Sequence, residues 1–314
     1  MNERCKLIAI CLLAGLPFWF LAFQHFQQFD FPLGTHDAIF HYSKAVGDPE
    51  IYSRYYPDST ERFWEYYHAY PPLLYLLLSI PVYFFSSALV IDLFVYLLLF
   101  LALPAAIYQY NKNKWAVYVY LAGSAITQGF IVSSTWAQAL FAFFFLLFLF
   151  YEHIIAKSVA FVLALLSHNK AWLYLLAYSL GASALGFVRP EYAMVLLGGN
   201  AERIAALITS LIIIFPLPIA WLAFKKSFNE RRLAWAALIP LIAFIFFIPD
   251  PRILLQSFIL LCIPAGDYLK ETKDKRFKLL VVLFMVLFYA FSWLLAKQLL
   301  LVETEIILNT LSIQ

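Results

Sequence analysis

The sequence predicts an all-α polytopic membrane protein, with about nine transmembrane helices and a half-inserted helix after a large first outer loop. Of its 314 residues, 64% are hydrophobic and only 13% are charged, which is far from the average of soluble domains. A bilayer supplies apolar surroundings for this much surface, whereas a soluble core does not. The 32 Phe, 20 Tyr and 8 Trp residues are typical of lipid-facing surfaces and interfacial belts.

The hydrophobic runs define the order of the elements. Spans are predicted at about 5–23, 88–110, 115–133, 136–155, 158–186, 204–224, 233–249, 253–269 and 278–300. The first run is long enough to span and lacks a small-residue cleavage site, so we interpret it as an uncleaved span and not as a signal peptide. The run 71–86 reaches only about 22 Å as a helix, which predicts a half-inserted or interfacial segment. Because no internal repeat or linker is visible, residues 1–314 are predicted to form one membrane domain.

The basic residues predict the orientation. With the N-terminus inside and nine crossings, most Lys and Arg residues lie on the cytoplasmic side, as the positive-inside rule requires. Residues 24–69 then form an outer loop on the non-cytoplasmic face, with seven acids and three bases. The short basic clusters between spans are typical of topology signals and argue against a nucleic-acid partner.

Asp37 is the candidate catalytic residue of this loop. If residues 37–45 are helical, Asp37 and His41 lie on one face, and His36 precedes them. The pair could bind a divalent metal, but two ligands do not specify a metal site, so we expect no metal and no cofactor. A carboxylate that faces a membrane-embedded cluster of cations is suited to act as a general base. The alternative is that Asp37 is one solvated acid among the seven.

A cation lies within the predicted span 158–186, in the stretch Ser167-His168-Asn169-Lys170. Such a group usually faces a cavity or a partner, because its insertion into lipid costs free energy. One interpretation is an anion site, with Lys170 as the charge and His168 and Asn169 as donors. The alternative is a lysine that snorkels from a helix end, or a loop between two short helices.

Arg252 begins the predicted span 253–269 on the outer side, in the stretch Pro249-Asp250-Pro251-Arg252. An arginine there suits phosphate recognition; the alternative is a tight turn with an Asp–Arg pair, since two prolines prevent a continuous helix. Gln138 and Asp92 lie within spans. Each either lines a cavity or is a hydrogen-bonded buried polar group.

Taken in this order, these features resemble the GT-C superfamily of polytopic glycosyltransferases that use polyprenyl-phosphate sugars. The likeness is closest to the mannosyltransferase family that adds the first mannose in GPI-anchor synthesis, with its prokaryotic relatives. Thr35-His36-Asp37 resembles the family's D-x-D motif, with Thr35 in place of the first acid, and His68-Ala69-Tyr70-Pro71-Pro72-Leu73-Leu74 resembles its Y-x-Y-T-P-L-L stretch. Ser134-Thr135, followed by Trp136-Ala137-Gln138 without the expected R-G-N, is similar to S-T-R-G-N. Ser167-His168-Asn169-Lys170 is similar to H-x-K-x-Y-P, without its aromatic-proline end.

The resemblance implies a mannosyltransferase of the plasma membrane or endoplasmic reticulum with its active site on the non-cytoplasmic face. Its partners would be the bilayer, a polyprenyl-phosphate donor such as dolichyl phosphate mannose, and a lipid or glycan acceptor. By the same resemblance, the general base is Asp37, the donor phosphate binds Lys170, His168 and Arg252, and the substrate groove includes His36, His41, Tyr70 and Gln138. A polytopic transporter or lipid flippase is the alternative, although transporters often show paired halves that this sequence lacks.

Overall fold

The computed structural model describes residues 2–57, 63–64, 67, 71–123, 125–168, 171, 174–175 and 253–313. These ranges are helical and contain no strand, which confirms the predicted all-α class. Within these ranges, three helices are long and apolar enough to cross a membrane: Glu3–Phe26, Leu89–Asn111 and Lys275–Asn309. The count of about nine spans stays a prediction, because spans 204–224 and 233–249 lie outside the described residues.

Helices make up most of the described residues. They are α1 (Glu3–Ala14), α2 (Leu16–Phe26), α3 (His36–Val46), α4 (Pro49–Tyr55), α5 (Leu73–Phe85), α6 (Leu89–Leu97), α7 (Leu103–Asn111), α8 (Lys114–Ala122), α9 (Trp136–Phe150), α10 (Ile154–Ser167), α11 (Ile253–Glu271) and α12 (Lys275–Ile313). The π-helical segment Leu98–Ala102 joins α6 to α7, and Ala125–Val132 precedes α9.

The helix boundaries differ from the predicted spans at several places: α8 ends at Ala122, inside the predicted span 115–133, and α10 ends at Ser167, inside the predicted span 158–186. The break predicted between 155 and 158 lies instead at residues 151–153, because Glu152 and His153 interrupt the apolar run and Lys157 is carried within α10. The last helix continues to Ile313, well beyond the predicted end at 300. The chain beyond residue 300 remains rich in Leu and Ile, which are compatible with a helix outside the bilayer as well as inside it.

The short apolar run after the first loop forms α5, a helix of 13 residues. At 1.5 Å per residue it is about 20 Å long, less than the ~30 Å of a hydrocarbon core. It begins after Pro72 and ends at Ser86, whose φ of 47° is left-handed. Its half-inserted placement stays a prediction.

The long final helix α12 connects the membrane region to the first loop. Its 39 residues extend about 58 Å, roughly twice the thickness of a hydrocarbon core. Only 28% of its most apolar window is buried, as expected of a helix that faces lipid. Near the C-terminal end of α12, Ile307 is buried in a cluster with loop residues that include Phe31, Phe40 and Tyr52. The C-terminal end of α12 and the first loop therefore lie together.

Contacts divide the chain into two compact units. The first contains Met1–Pro104, Ile126–Asn169 and Phe291–Gln314, and the second contains Ala105–Ala125 and Lys170–Ala290. In the second unit, the Asn113 side-chain amide donates to Asp267 at 2.8 Å, and α8 packs against α11. The described candidate site residues belong to the first unit. The single membrane domain stays a prediction.

Candidate active site

The residue that leads into α3 is held closely against the loop before α9. Gly34 has φ +150°, and a Cβ at this position would lie 2.0 Å from Ser134 Oγ and 3.2 Å from the Ile131 carbonyl oxygen. Thr35 N–H donates to the Val132 carbonyl at 3.1 Å. Glycine provides both this backbone conformation and this close approach. The start of α3 is therefore fixed to the segment 131–134.

Asp92 fixes the position of Leu33, the residue before Gly34. The Leu33 N–H donates to Asp92 Oδ1 at 2.9 Å, and Asp92 is only 2% exposed. A buried carboxylate is costly without such a hydrogen bond. This contact agrees with the interpretation of Asp92 as a hydrogen-bonded buried polar group, and it anchors the loop immediately before Gly34.

Asp37 lies in the first turn of α3, where the helix macrodipole favours a negative charge. Its side chain is 19% exposed, and its Oδ1 lies 3.5 Å from His36 Nδ1. The carboxylate is thus largely shielded, with an imidazole beside it and a limited opening to solvent. This environment differs from that of a fully solvated loop acid.

His36 is held by two tyrosines of the same loop. Its Nε2 hydrogen-bonds Tyr52 Oη, and its ring contacts that of Tyr56 with centroids 4.5 Å apart. When Nδ1 carries the ring proton, it can donate towards the Asp37 carboxylate, which only accepts hydrogen bonds, and Nε2 then accepts from Tyr52. His36 can thereby fix the rotamer of the Asp37 carboxylate.

Tyr56 connects this cluster to the last helix. Its hydroxyl donates to Glu303 Oε1 at 2.6 Å. Burial raises the pKa of Tyr56 well above its ordinary value, and the Glu303 hydrogen bond and charge raise it further, with smaller contributions from Tyr52 and Asp37. The hydroxyl therefore remains a neutral donor. Sequence reasoning missed Glu303, since the two residues are 247 positions apart and no local pattern connects them.

Asp37 and His41 share one face of α3, as predicted from their spacing, and Lys44 follows one turn later on the same face. His41 is buried, with Nδ1 2.9 Å from Tyr75 Oη and its ring 5.4 Å from that of Trp136. The Lys44 ammonium lies 4.0 Å from the centre of the Tyr75 ring. Burial lowers the pKa of Lys44 to about 8. Lys44 was also missed from sequence, although its spacing from Asp37 could have indicated it.

The hairpin of α9 and α10 brings a second set of predicted residues to this region. Three residues join the two helices, so they run antiparallel, and His168 at the end of α10 lies beside the start of α9. There Gln138 is buried, and Trp136 contacts His41. Several polar residues are buried at this end of the hairpin, namely Ser134, Thr135, Gln138, Ser167 and His168. Such groups are costly in apolar surroundings unless they are hydrogen-bonded.

Four predicted site residues, Tyr70, Asn169, Lys170 and Arg252, lie outside the described residues. Their convergence with Asp37 stays a prediction. Within the described ranges, no group of three or more His, Cys, Asp or Glu side chains is placed to hold a metal ion. The expectation of no cofactor likewise stays a prediction.

Comparison of the chain with protein-family models, with characterised proteins and with solved structures finds no match. The resemblance to the GT-C superfamily therefore depends on the short motifs around Asp37, Tyr70, Ser134 and His168. Two of these motifs are in contact, because Gly34 and Thr35 pack against the segment 131–134.

Proposed function

We propose that this chain is a membrane glycosyltransferase that transfers a sugar, with mannose expected, from a polyprenyl-phosphate donor to an acceptor hydroxyl at the non-cytoplasmic face. The observation that carries the proposal is the placement of Asp37. Its shielded carboxylate stands at the start of α3, and α3 packs against the end of the α9–α10 hairpin where Gln138 and His168 are buried.

The proposed reaction is a single displacement with inversion. The Asp37 carboxylate accepts the proton of the acceptor hydroxyl, and the acceptor oxygen forms a bond to the anomeric carbon of the sugar. The bond from that carbon to the phosphate oxygen breaks on the opposite side, and the lipid phosphate leaves with the electron pair. General base catalysis of this kind contributes ~10²–10⁴-fold to the rate.

The leaving phosphate needs positive charge or hydrogen-bond donors near it. In this proposal His168, Lys170 and Arg252 supply them, since placed donors stabilise developing negative charge. His36 orients Asp37, while His41, Tyr70 and Gln138 line the substrate groove. The short helix α5 packs against α3 and forms one wall of the groove for the lipid tail of the donor.

Replacement of Asp37 by Asn tests the base directly. We expect the rate to fall ~10²–10⁴-fold with little change in thermal stability, because Asn retains the shape and one acceptor oxygen. The matched control is Glu50→Gln, which removes an exposed acid from the first turn of α4 and should leave the rate unchanged. The assay follows transfer of label from dolichyl phosphate mannose to a lipid or glycan acceptor in proteoliposomes.

An Asp37→Asn variant that retains the wild-type rate would overturn the base assignment. If label crosses the bilayer on the intact donor and no product forms, the lipid flippase alternative is favoured instead. Lys170→Ala tests the phosphate site, because loss of one charged hydrogen bond raises the donor KM by roughly 10-fold or more. Unchanged donor KM and rate would count against that role.

A further inference from the structure

A cavity of about 380 Å³ opens between the end of α2 and the C-terminal half of α12. Its polar lining includes Gln24, His25, Gln28 and Lys297, whereas Leu21 and Leu300 are among its apolar residues. Its volume is within the range of small-molecule sites. Neither Asp37 nor any other residue assigned to the proposed catalytic site lines it.

The polar groups of this cavity have unused hydrogen-bonding capacity. Among the described residues, the side-chain amides of Gln24 and Gln28 have no hydrogen-bond partner, and Lys297 has no ion pair. His25 is only 8% exposed, and its Nε2 is buried without a partner in the described part of the chain. Because buried polar atoms are normally hydrogen-bonded, His25 Nε2 indicates a ligand, and the exposed side chains of Gln24, Gln28 and Lys297 line the same cavity.

The protonation of His25 specifies one feature of that ligand. The Pro32 backbone lies close to the ring, and since proline has no N–H, its carbonyl can only accept a hydrogen bond. In the tautomer with the ring proton on Nδ1, Nε2 is an acceptor. A ligand that hydrogen-bonds Nε2 in this tautomer must carry a donor such as a hydroxyl group. A negatively charged group on the same ligand would pair with the Lys297 ammonium.

The cavity lies at the level of lipid head groups. The apolar run Leu279–Ala296 of α12 is bounded by Lys278 and Lys297. Its 18 residues extend about 27 Å, close to the ~30 Å of a hydrocarbon core. Lys297 therefore marks the membrane surface at one end of α12, and Lys278 marks the other. The mixture of polar and leucine side chains in the lining matches a molecule that is part head group and part acyl chain.

We propose that this cavity binds the phosphate and hydroxyl groups of an anionic phospholipid head. The phosphate pairs with Lys297, a head-group hydroxyl donates to His25 Nε2, and the amides of Gln24 and Gln28 bond the remaining oxygens. The acyl chains extend along the leucine side of the cavity. The site is independent of the proposed transfer reaction, because it shares no residue with it.

Native mass spectrometry of the full-length protein, titrated with dioleoyl phosphatidylglycerol in detergent, tests this site. We expect one tightly bound lipid per chain, and at least 10-fold weaker binding of phosphatidylcholine. Lys297→Gln should weaken phosphatidylglycerol binding about 10-fold, the effect of one lost charged hydrogen bond. The matched control is Lys278→Gln, which removes the same charge at the other end of the same apolar run and should leave binding unchanged.

A second variant tests the cavity itself without changing the charge. Gln28→Trp fills the space from an exposed position, where the fold tolerates a large side chain, and should abolish tight binding. Equal effects of Lys297→Gln and Lys278→Gln would overturn the proposal, as would full binding by Gln28→Trp or equal binding of phosphatidylcholine. Displacement of the lipid by millimolar inorganic phosphate would assign the site to a soluble anion instead of a lipid.

Discussion

Replacing Gly34 by Ala is expected to destabilise the protein and to displace the start of α3. The added Cβ would lie 2.0 Å from Ser134 Oγ and 2.8 Å from Ala38 Cβ, so the loop must move. The backbone at φ +150° adds about 1–3 kcal/mol of strain for a residue with a side chain. Movement of the loop also weakens the Thr35–Val132 hydrogen bond, which contributes about 1 kcal/mol. We expect a total loss of about 2–4 kcal/mol in the free energy of unfolding.

Gly47→Ala provides the matched control for this substitution. Gly47 also has a positive φ, +80°, but a Cβ there meets no atom within 4 Å. Its replacement therefore measures the cost of a left-handed backbone alone, about 1–2 kcal/mol. The difference between the two variants in the free energy of unfolding measures the contribution of the contact between the loops. Unfolding in denaturant, monitored by circular dichroism in detergent, measures both.

Ser134→Gly should partly rescue Gly34→Ala. The second change removes the Oγ that the new Cβ would meet, and Ser134 itself has a left-handed φ of 50° that glycine adopts without strain. Gly34→Ala could destabilise the protein no more than Gly47→Ala, or the double variant could be as unstable as Gly34→Ala alone. Either result would show that the two loops are not in close contact.

Three further perturbations test contacts around the site. Asp92→Leu leaves the Leu33 N–H buried without its acceptor and should cost about 1–3 kcal/mol, whereas Asp92→Asn retains an acceptor and should cost less; denaturant unfolding measures both. Tyr56→Phe removes the hydrogen bond to Glu303, so amides at the C-terminal end of α12 should exchange hydrogen faster while those at its N-terminal end do not change. The pKa of Lys44 is lowered by burial to about 8, from 10.5. The unfolded chain then binds more protons between these values, and the thermal stability of wild type relative to Lys44→Met should rise with pH across that window.

Each of these expectations has an outcome that contradicts it. Equal destabilisation by Asp92→Leu and Asp92→Asn would show that the Leu33 hydrogen bond contributes little. Unchanged exchange in Tyr56→Phe would show that α12 is held by packing around Ile307 alone. A stability difference between wild type and Lys44→Met that is flat or falls from pH 8 to pH 10 would show that the Lys44 amine is not desolvated.

Local patterns predicted the helices and one face of the candidate site. The predicted run 88–110 agrees with the structural helix Leu89–Asn111, because apolar runs bounded by polar residues are readable without knowledge of their neighbours. The shared face of Asp37 and His41 followed from helical spacing alone. The break between α9 and α10 was predicted a few residues too late in the chain. Both Glu152-His153 and Lys157 interrupt the apolar run, and the helix ends at the first of these two interruptions.

Local sequence patterns did not predict contacts between residues that are far apart in the chain. Sequence reasoning chose Lys170 and Arg252 as partners of Asp37, and both lie outside the described residues. The described neighbours of Asp37 include His36, which was predicted, and Tyr56, which was not. Tyr56 in turn bonds Glu303 from the other end of the chain. Nothing in the spacing of these residues indicates that pairing.

Local sequence patterns were enough to predict the all-α class, the apolar helices and the helical face that carries Asp37, because each depends on the free energy of a few consecutive residues in lipid, water or a helix. Packing between distant segments shields Asp37, brings Glu303 to Tyr56 and forms a polar cavity between α2 and α12. These features depend on how far each helix extends and on which surfaces pack together. Both are set by the packing of the whole unit, and neither can be predicted from a short run of consecutive residues.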